Sequence, residues 1–187
     1  MKQVKHQLAT KEYYIPDWPV KHLFLGTFNP EGGEKVNYYY GRARNKFWPL
    51  LRELTEAKFQ LNNTQEFFAE LKHHGIACMD MIDTVNVPEE RLGKVLGKGY
   101  SDATIINGYT EREYNTKAIQ KLIGSNPGIK VYSTWGKGQQ LMEWKGEIAK
   151  VEGLIPLVSP SMAAWVPKGT DKFEFMLADW ESKIKFE

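Results

Sequence analysis

The chain has one cysteine, Cys78, in 187 residues. That excludes an internal disulfide, and a lone thiolate cannot hold an iron–sulfur cluster or a thiolate zinc site. The four histidines, His6, His22, His73 and His74, lack metal-ligand spacing, so no metal is expected. No GxxxxGK[ST] phosphate loop is present. No apolar run approaches the length of a membrane span, and the opening MKQVKHQLATKEYY has none suited to a signal peptide. Excess charge of one sign is also missing. Lys and Arg number 25 against 23 Asp and Glu, a net +2, so a surface for a polyanion must be a local patch. Repeats and low-complexity stretches are absent too. A monomeric cytoplasmic protein without a cofactor is the expectation.

What is present is enough apolar material, 42% of residues, to bury a core. One globular domain over 1–187 is expected, with 1–20 as a packed N-terminal extension. HLFLGTF (22–28), GIACMDMI (75–82), GIKVYSTWG (128–136) and LIPLVSPS (154–161) read as strands running into loops. KFWPLLREL, capped by Asn45, reads as a helix with Pro49 in its first turn, where the missing N–H is cheap. TQEFFAELKHH reads as a helix from Thr64 that stops before Gly75, EREYNTKAIQKLIGS as one over 111–125, and DKFEFMLADWESKIK as a closing helix. KGQQLMEWKGEIA is a further helix candidate, and 84–110 reads as irregular. Strands alternating with helices give an α/β fold with a mostly parallel sheet covered on both faces. In such sheets ligands bind at the carboxyl ends of the strands. The loops there would be 26–44, the turn after Trp135, and 159–165.

The first of these loops contains YYYGRARNKFWPLL, Tyr38 to Leu51. Between Lys35 and Arg52 stand Lys35, Arg42, Arg44, Lys46 and Arg52 with no acidic residue. Basic groups offer phosphate contacts, and aromatic faces offer base stacking worth about 1–3 kcal/mol per base. Phe47, Trp48 and Leu51 read as core. The three tyrosines read as surface, because three in a row cannot all face one core from a loop. Asn29, in GTFNP, and Asn45 each carry an amide able to accept from a water while donating to a carbonyl, which suits hydrolysis. Each also fits a bland role, as a turn residue or a helix cap. The small residues and hydroxyls of SPSMAAW could hold a phosphate. Asp80 and Asp83 read as capping or loop residues.

LFLGTFNP followed by YYYGRARNKFWPLL resembles the first motif region of the uracil-DNA glycosylase superfamily. The hypoxanthine-DNA glycosylase branch is closest in look, with features of the mismatch-specific branch. GIACMDMI, SDATI (101–105), VYSTWGK and PLVSPS continue the likeness in order over about residues 21–165. The resemblance implies a three-layer α/β/α sandwich with a four-stranded parallel sheet. It implies a DNA partner, single-stranded or duplex, and base-excision repair by hydrolysis of the N-glycosidic bond of a flipped base, hypoxanthine or uracil, without a metal. On it, Gly26, Thr27 and Phe28 line the base pocket and Tyr40 stacks on the base. Asn45 or Asn29 orients the water, with Asn45 favoured. Arg42, Arg44, Lys46, Ser159 and Ser161 grip the DNA backbone.

The chain departs from the family pattern in two places. Asn29 follows Gly26 by three residues, and Phe28 stands where the mismatch branch has its asparagine. Ala163 and Ala164 replace the bulky wedge that fills the gap left by a flipped base, with Met162 and Trp165 as neighbouring substitutes. The readings that compete are a non-catalytic nucleic-acid-binding protein on the same fold, and a nucleoside or nucleotide hydrolase.

Overall fold

A computed structural model describes residues 1–96, 111–135 and 142–186. The SDATI element and the Gly136–Lys137 pair lie outside the described residues. Within them the fold is α/β. Strands β2 (His22–Gly26), β3 (Ile76–Asp80), β6 (Lys130–Ser133) and β7 (Leu154–Pro156) form a sheet in the order β3-β2-β6-β7, parallel throughout. Helices α1 (Phe47–Thr55), α2 (Thr64–His73), α3 (Leu92–Leu96), α4 (Thr116–Ser125), α5 (Met142–Ile148) and α6 (Lys172–Lys183) flank it, in keeping with a three-layer sandwich. β2 and β3 are buried at every position. This is why they read as continuous apolar runs and not as alternating ones. No described helix is long and apolar enough to cross a membrane.

Aromatic packing joins the sheet to α1 and α6. Phe24 of β2 stacks on Tyr132 of β6, with centroids 4.9 Å apart, and on Trp180 of α6, at 5.8 Å. Phe47 meets Phe24 edge-on at 5.1 Å. Phe47, Trp48 and Leu51 are core, as their spacing predicts. Asp171 caps α6 with one carboxylate oxygen accepting from the N–H groups of Phe173 and Glu174. Gly75, at φ +60°, ends α2 in the left-handed conformation.

Several expectations are corrected. The N-terminal extension is not only a packed tail. Its β1 (Lys2–Lys5) pairs antiparallel with β4 (Ile82–Val87), which in turn pairs with β5 (Glu111–Tyr114). This second sheet takes over part of the stretch read as irregular and the first turn of the helix read over 111–125. Glu-Arg-Glu-Tyr is too short for its period to be distinguished from helix, and its partners decide it. α1 starts one residue later than Asn45 would place it: Lys46 is its N-cap, while the Asn45 side chain accepts from the Phe47 N–H at 2.9 Å. For α2 the cap is Asn63, accepting from the Glu66 N–H.

The tyrosine run divides three ways. Tyr39 is buried, and its hydroxyl donates to the Tyr14 carbonyl. Tyr38 packs against Trp48 and Phe67. Tyr40 lines the pocket at the carboxyl edge of the parallel sheet. A loop that folds back on its own helix provides core contacts on more than one side, which one-sided reasoning missed. Arg52 also leaves the basic set, since its guanidinium donates to the carbonyls of Lys58 and Phe59.

Candidate active site

The parallel sheet ends on one side at Gly26, Asp80 and Ser133. The loops leaving those strands, together with the loop after β7, enclose a pocket of about 200 Å³. Drug-sized ligands occupy roughly 300–1,000 Å³, so this space suits one small ring system. Its lining includes Gly26, Thr27, Phe28, Asn29, Tyr40, Arg42, Arg44, Asn45, Ser159 and Ser161. These residues, up to 135 positions apart, are thereby brought together by sheet order. Lys46 is the one expected site residue outside this lining. Its backbone N–H donates to the Pro160 carbonyl at 2.9 Å, tying the first loop to the last.

Asp80 also lines the pocket, and sequence reasoning had set it aside. It ends β3, directly opposite Gly26 in the parallel register. Its side chain is buried, and one oxygen, Oδ2, takes two donors: Asn29 Nδ2 at 2.9 Å and His6 Nε2 at 2.8 Å. A buried carboxylate loses hydration worth several kcal/mol unless hydrogen bonds replace it. The second oxygen, Oδ1, lies over Gly26, so close that a Cβ there would be 2.2 Å from it. The signal that could have found Asp80 is positional. A polar residue closing a fully apolar strand in a parallel sheet points at the ligand edge.

His6 has a fixed tautomer. Its Nδ1 accepts from the Leu8 N–H at 3.1 Å, so Nε2 carries the hydrogen donated to Asp80. Around the imidazole stand Tyr14, Phe28 and Tyr39, with ring centroids 5.1 to 5.7 Å away. A further layer backs this one. The Tyr14 hydroxyl donates to Asp83 and accepts from Asn115 Nδ2, which also donates to the Asp80 carbonyl at 2.9 Å. Burial is the main cause that pushes the Tyr14 phenol well above its ordinary value.

Tyr40 stands at φ +57°, a backbone region costly for a residue with a side chain. The conformation lays its ring flat on Phe47, centroids 3.8 Å apart and planes 6° off parallel. One face of the ring is therefore covered by Phe47. The Thr134 hydroxyl donates to the Leu25 carbonyl, so at the Tyr40–Thr134 contact of 3.1 Å the tyrosine is the donor.

The two asparagines are held differently. Asn29 commits its NH₂ group to Asp80, leaving its carbonyl oxygen as an acceptor toward the pocket. Asn45 commits its carbonyl oxygen to the Phe47 N–H, leaving its NH₂ group to donate. At the last loop, Ser159 and Ser161 accept from the N–H groups of Ser161 and Ala163. Their hydroxyl hydrogens can still be offered to an anion. Lys172 holds this loop by donating to the carbonyls of Met162 and Ala164. Met162 and Trp165 stand out from it, 45% and 80% exposed. Among the described residues, no three His, Cys, Asp or Glu side chains gather as metal ligands.

Fold and pocket together define an α/β protein with a polar, carboxylate-floored site at the carboxyl edge of a parallel sheet. No protein-family model, curated protein or solved structure matches the chain.

Proposed function

We propose that the protein is a DNA glycosylase of the uracil-DNA glycosylase type, hydrolysing the N-glycosidic bond of a flipped, deaminated base such as hypoxanthine or uracil. The observation that carries this reading is the Asn29–Asp80 pair on the floor of a ring-sized pocket, with the Tyr40 ring beside it. The resemblance in the GTFNP and YYYGRARNKFW segments supports it. In this reading the flipped base lies beside the Tyr40 ring and against Phe28, both of which line the pocket.

Water is held between two acceptors, the Asn29 carbonyl oxygen and Asp80 Oδ1. Its oxygen forms the new bond to the sugar C1′ as the bond from C1′ to the base nitrogen breaks. The electron pair leaves with the base as an anion, and Asp80 takes the proton from the water. Asn45, with only its NH₂ group to spare, donates to a carbonyl of the departing base and spreads its charge. This reverses the preference that the resemblance gives to Asn45 for the water: an amide whose oxygen already accepts from the Phe47 N–H is the better donor. Arg42, Arg44, Ser159 and Ser161, around the rim, meet the phosphates.

The test is release of base from labelled oligonucleotides containing hypoxanthine or uracil, single-stranded and duplex. Wild type is compared with Asn29→Ala, Asn45→Ala and Asp80→Asn. Release by wild type, lost in Asp80→Asn and Asn29→Ala with binding retained, is the expected result. No release from any substrate, with salt-sensitive DNA binding intact, would leave a binding protein on this fold. Cleavage of free nucleosides alone would make it a nucleoside hydrolase.

A further inference from the structure

We infer that the N-terminal extension is part of the active site, with His6 as a positioning residue that aims the Asp80 carboxylate. The inference rests on the reading of Asp80 as the base that receives the water's proton. The extension is not merely laid over the sheet. β1 pairs with β4 over four residues, and the backbone that continues from it bonds to Asp83, just after Asp80, and to Asn29; Asp80 and Asn29 both line the pocket. The His6 N–H donates to the Asp83 carbonyl, the Gln7 N–H to the Asn29 carbonyl, and the Glu31 N–H to the Lys5 carbonyl, all at 2.8 to 2.9 Å. The same few residues therefore grip both the Asn29–Pro30 loop and the segment that follows Asp80.

The side chain completes this arrangement. His6 is buried, boxed by three aromatic rings, and anchored by the Leu8 N–H on Nδ1. Its orientation is thus set by groups other than Asp80. Its remaining hydrogen goes to Asp80 Oδ2, the same oxygen that Asn29 holds. Two donors on one oxygen fix the carboxylate plane and leave Oδ1 over Gly26 as the oxygen that faces the pocket. A base that must meet a proton within hydrogen-bond reach loses about 100-fold in rate for a displacement of 1 Å. Asn29 alone, on a loop, supplies one point of attachment, and rotation about it remains open.

The experiment compares His6→Leu, His6→Gln and His6→Asn with wild type, reading thermal unfolding together with kcat and KM for base release. Glutamine places an amide where Nε2 stood and can reach Asp80. Asparagine is shorter, stops near the Nδ1 position, and cannot. His6→Leu should lower kcat by about 100-fold with KM little changed. His6→Gln should recover most of that loss, and His6→Asn should not. His6→Asn also takes the place of His6→Leu should the leucine variant fail to fold. A folded His6→Leu or His6→Asn protein with wild-type kcat overturns the inference. If wild type releases no base, the glycosylase reading falls by itself, and a crystal structure of the folded variant decides the positioning role. Asp80 turned away from Gly26 upholds it, and a carboxylate left in place overturns it.

Discussion

Asp80 Oδ1 occupies the space that a side chain on Gly26 would need, 2.2 Å from the position of its Cβ. The two residues are register partners in β2 and β3, so neither backbone can withdraw without breaking the ladder. Gly26→Ala must therefore rotate the carboxylate off its donors or part the strands. The expected destabilisation is about 1–3 kcal/mol, read as a lowered melting temperature. Base release should fall much further than stability does, because the displaced group is the one proposed to take the proton. A Gly26→Ala protein with wild-type stability and turnover would show that the strand ends yield, and would remove Asp80 from the reaction.

Tyr40 separates backbone strain from ring contact. At φ +57° glycine is preferred over alanine by about 1 kcal/mol. Tyr40→Gly should accordingly unfold at a higher temperature than Tyr40→Ala. Both should weaken binding to a lesion-containing oligonucleotide by about 1–3 kcal/mol, the worth of one base stack. Fluorescence anisotropy measures this. Equal affinity of wild type and both variants would mean that the ring takes no part in DNA binding.

How far the sequence displayed this site follows from which residues act alone. The parallel sheet was legible because β2 and β3, buried on both faces, present unbroken apolar runs between glycines. The pocket's rim was legible because the three loops leave strands on one edge. Asp80 was overlooked because its meaning comes from His6, 74 positions away, and from Asn29, 51 positions away. Neither separation leaves a local pattern. His6 was overlooked for the same reason. The antiparallel pairing of Lys2–Lys5 with Thr84–Val87 is a match between two polar-rich strands, and no hydrophobic period announces it. The tyrosines misled because loop residues were assigned one environment each, whereas the loop passes between two helices and the pocket.

His22 carries a pH dependence of stability unrelated to the site. It is buried in β2, with its Nδ1 3.1 Å from the Tyr132 hydroxyl and its ring against Phe186. Burial chiefly, and then the positive charge of Lys21, push its pKa from 6.5 down to about 4. In the unfolded chain the imidazole takes a proton near its ordinary value, so between these values the unfolded state binds more protons. Stability must therefore fall as pH drops from about 6.5 to about 4. His22→Phe should flatten that part of the profile in denaturant melts. A slope unchanged by the substitution would assign it to other groups.

Arg44 is exposed at the rim, beyond the half-buried Arg42. If its guanidinium meets a phosphate, each such contact contributes about 0.7 to the slope of log affinity against log salt on single strands, and about 0.9 on duplex. Arg44→Ala should reduce the slope by about that amount while weakening binding equally for lesion and undamaged DNA. An unchanged slope would take Arg44 out of the interface.

Trp165 presents a large apolar surface to solvent, 80% exposed, on the same loop as Ser159 and Ser161. Nothing in the fold requires an indole there, since α6 fixes the loop through other groups. The Val158 N–H donates to Asp179, Trp180 Nε1 to the Val158 carbonyl, and Lys172 to the carbonyls of Met162 and Ala164. Trp165→Ala should leave the melting temperature nearly unaltered, as exposed positions usually do. On duplex DNA, flipping a base opens a gap in the stack at a cost of a few kcal/mol, and an apolar side chain inserted there offsets part of it. A single strand has no such gap. Trp165→Ala should thus lower base release from duplex substrate while sparing the single-stranded one, and Met162→Ala serves as the comparison. Equal losses on both substrates would make Trp165 a general contact to the strand, and no loss on either would leave Met162 as the residue beside the pocket to fill the gap.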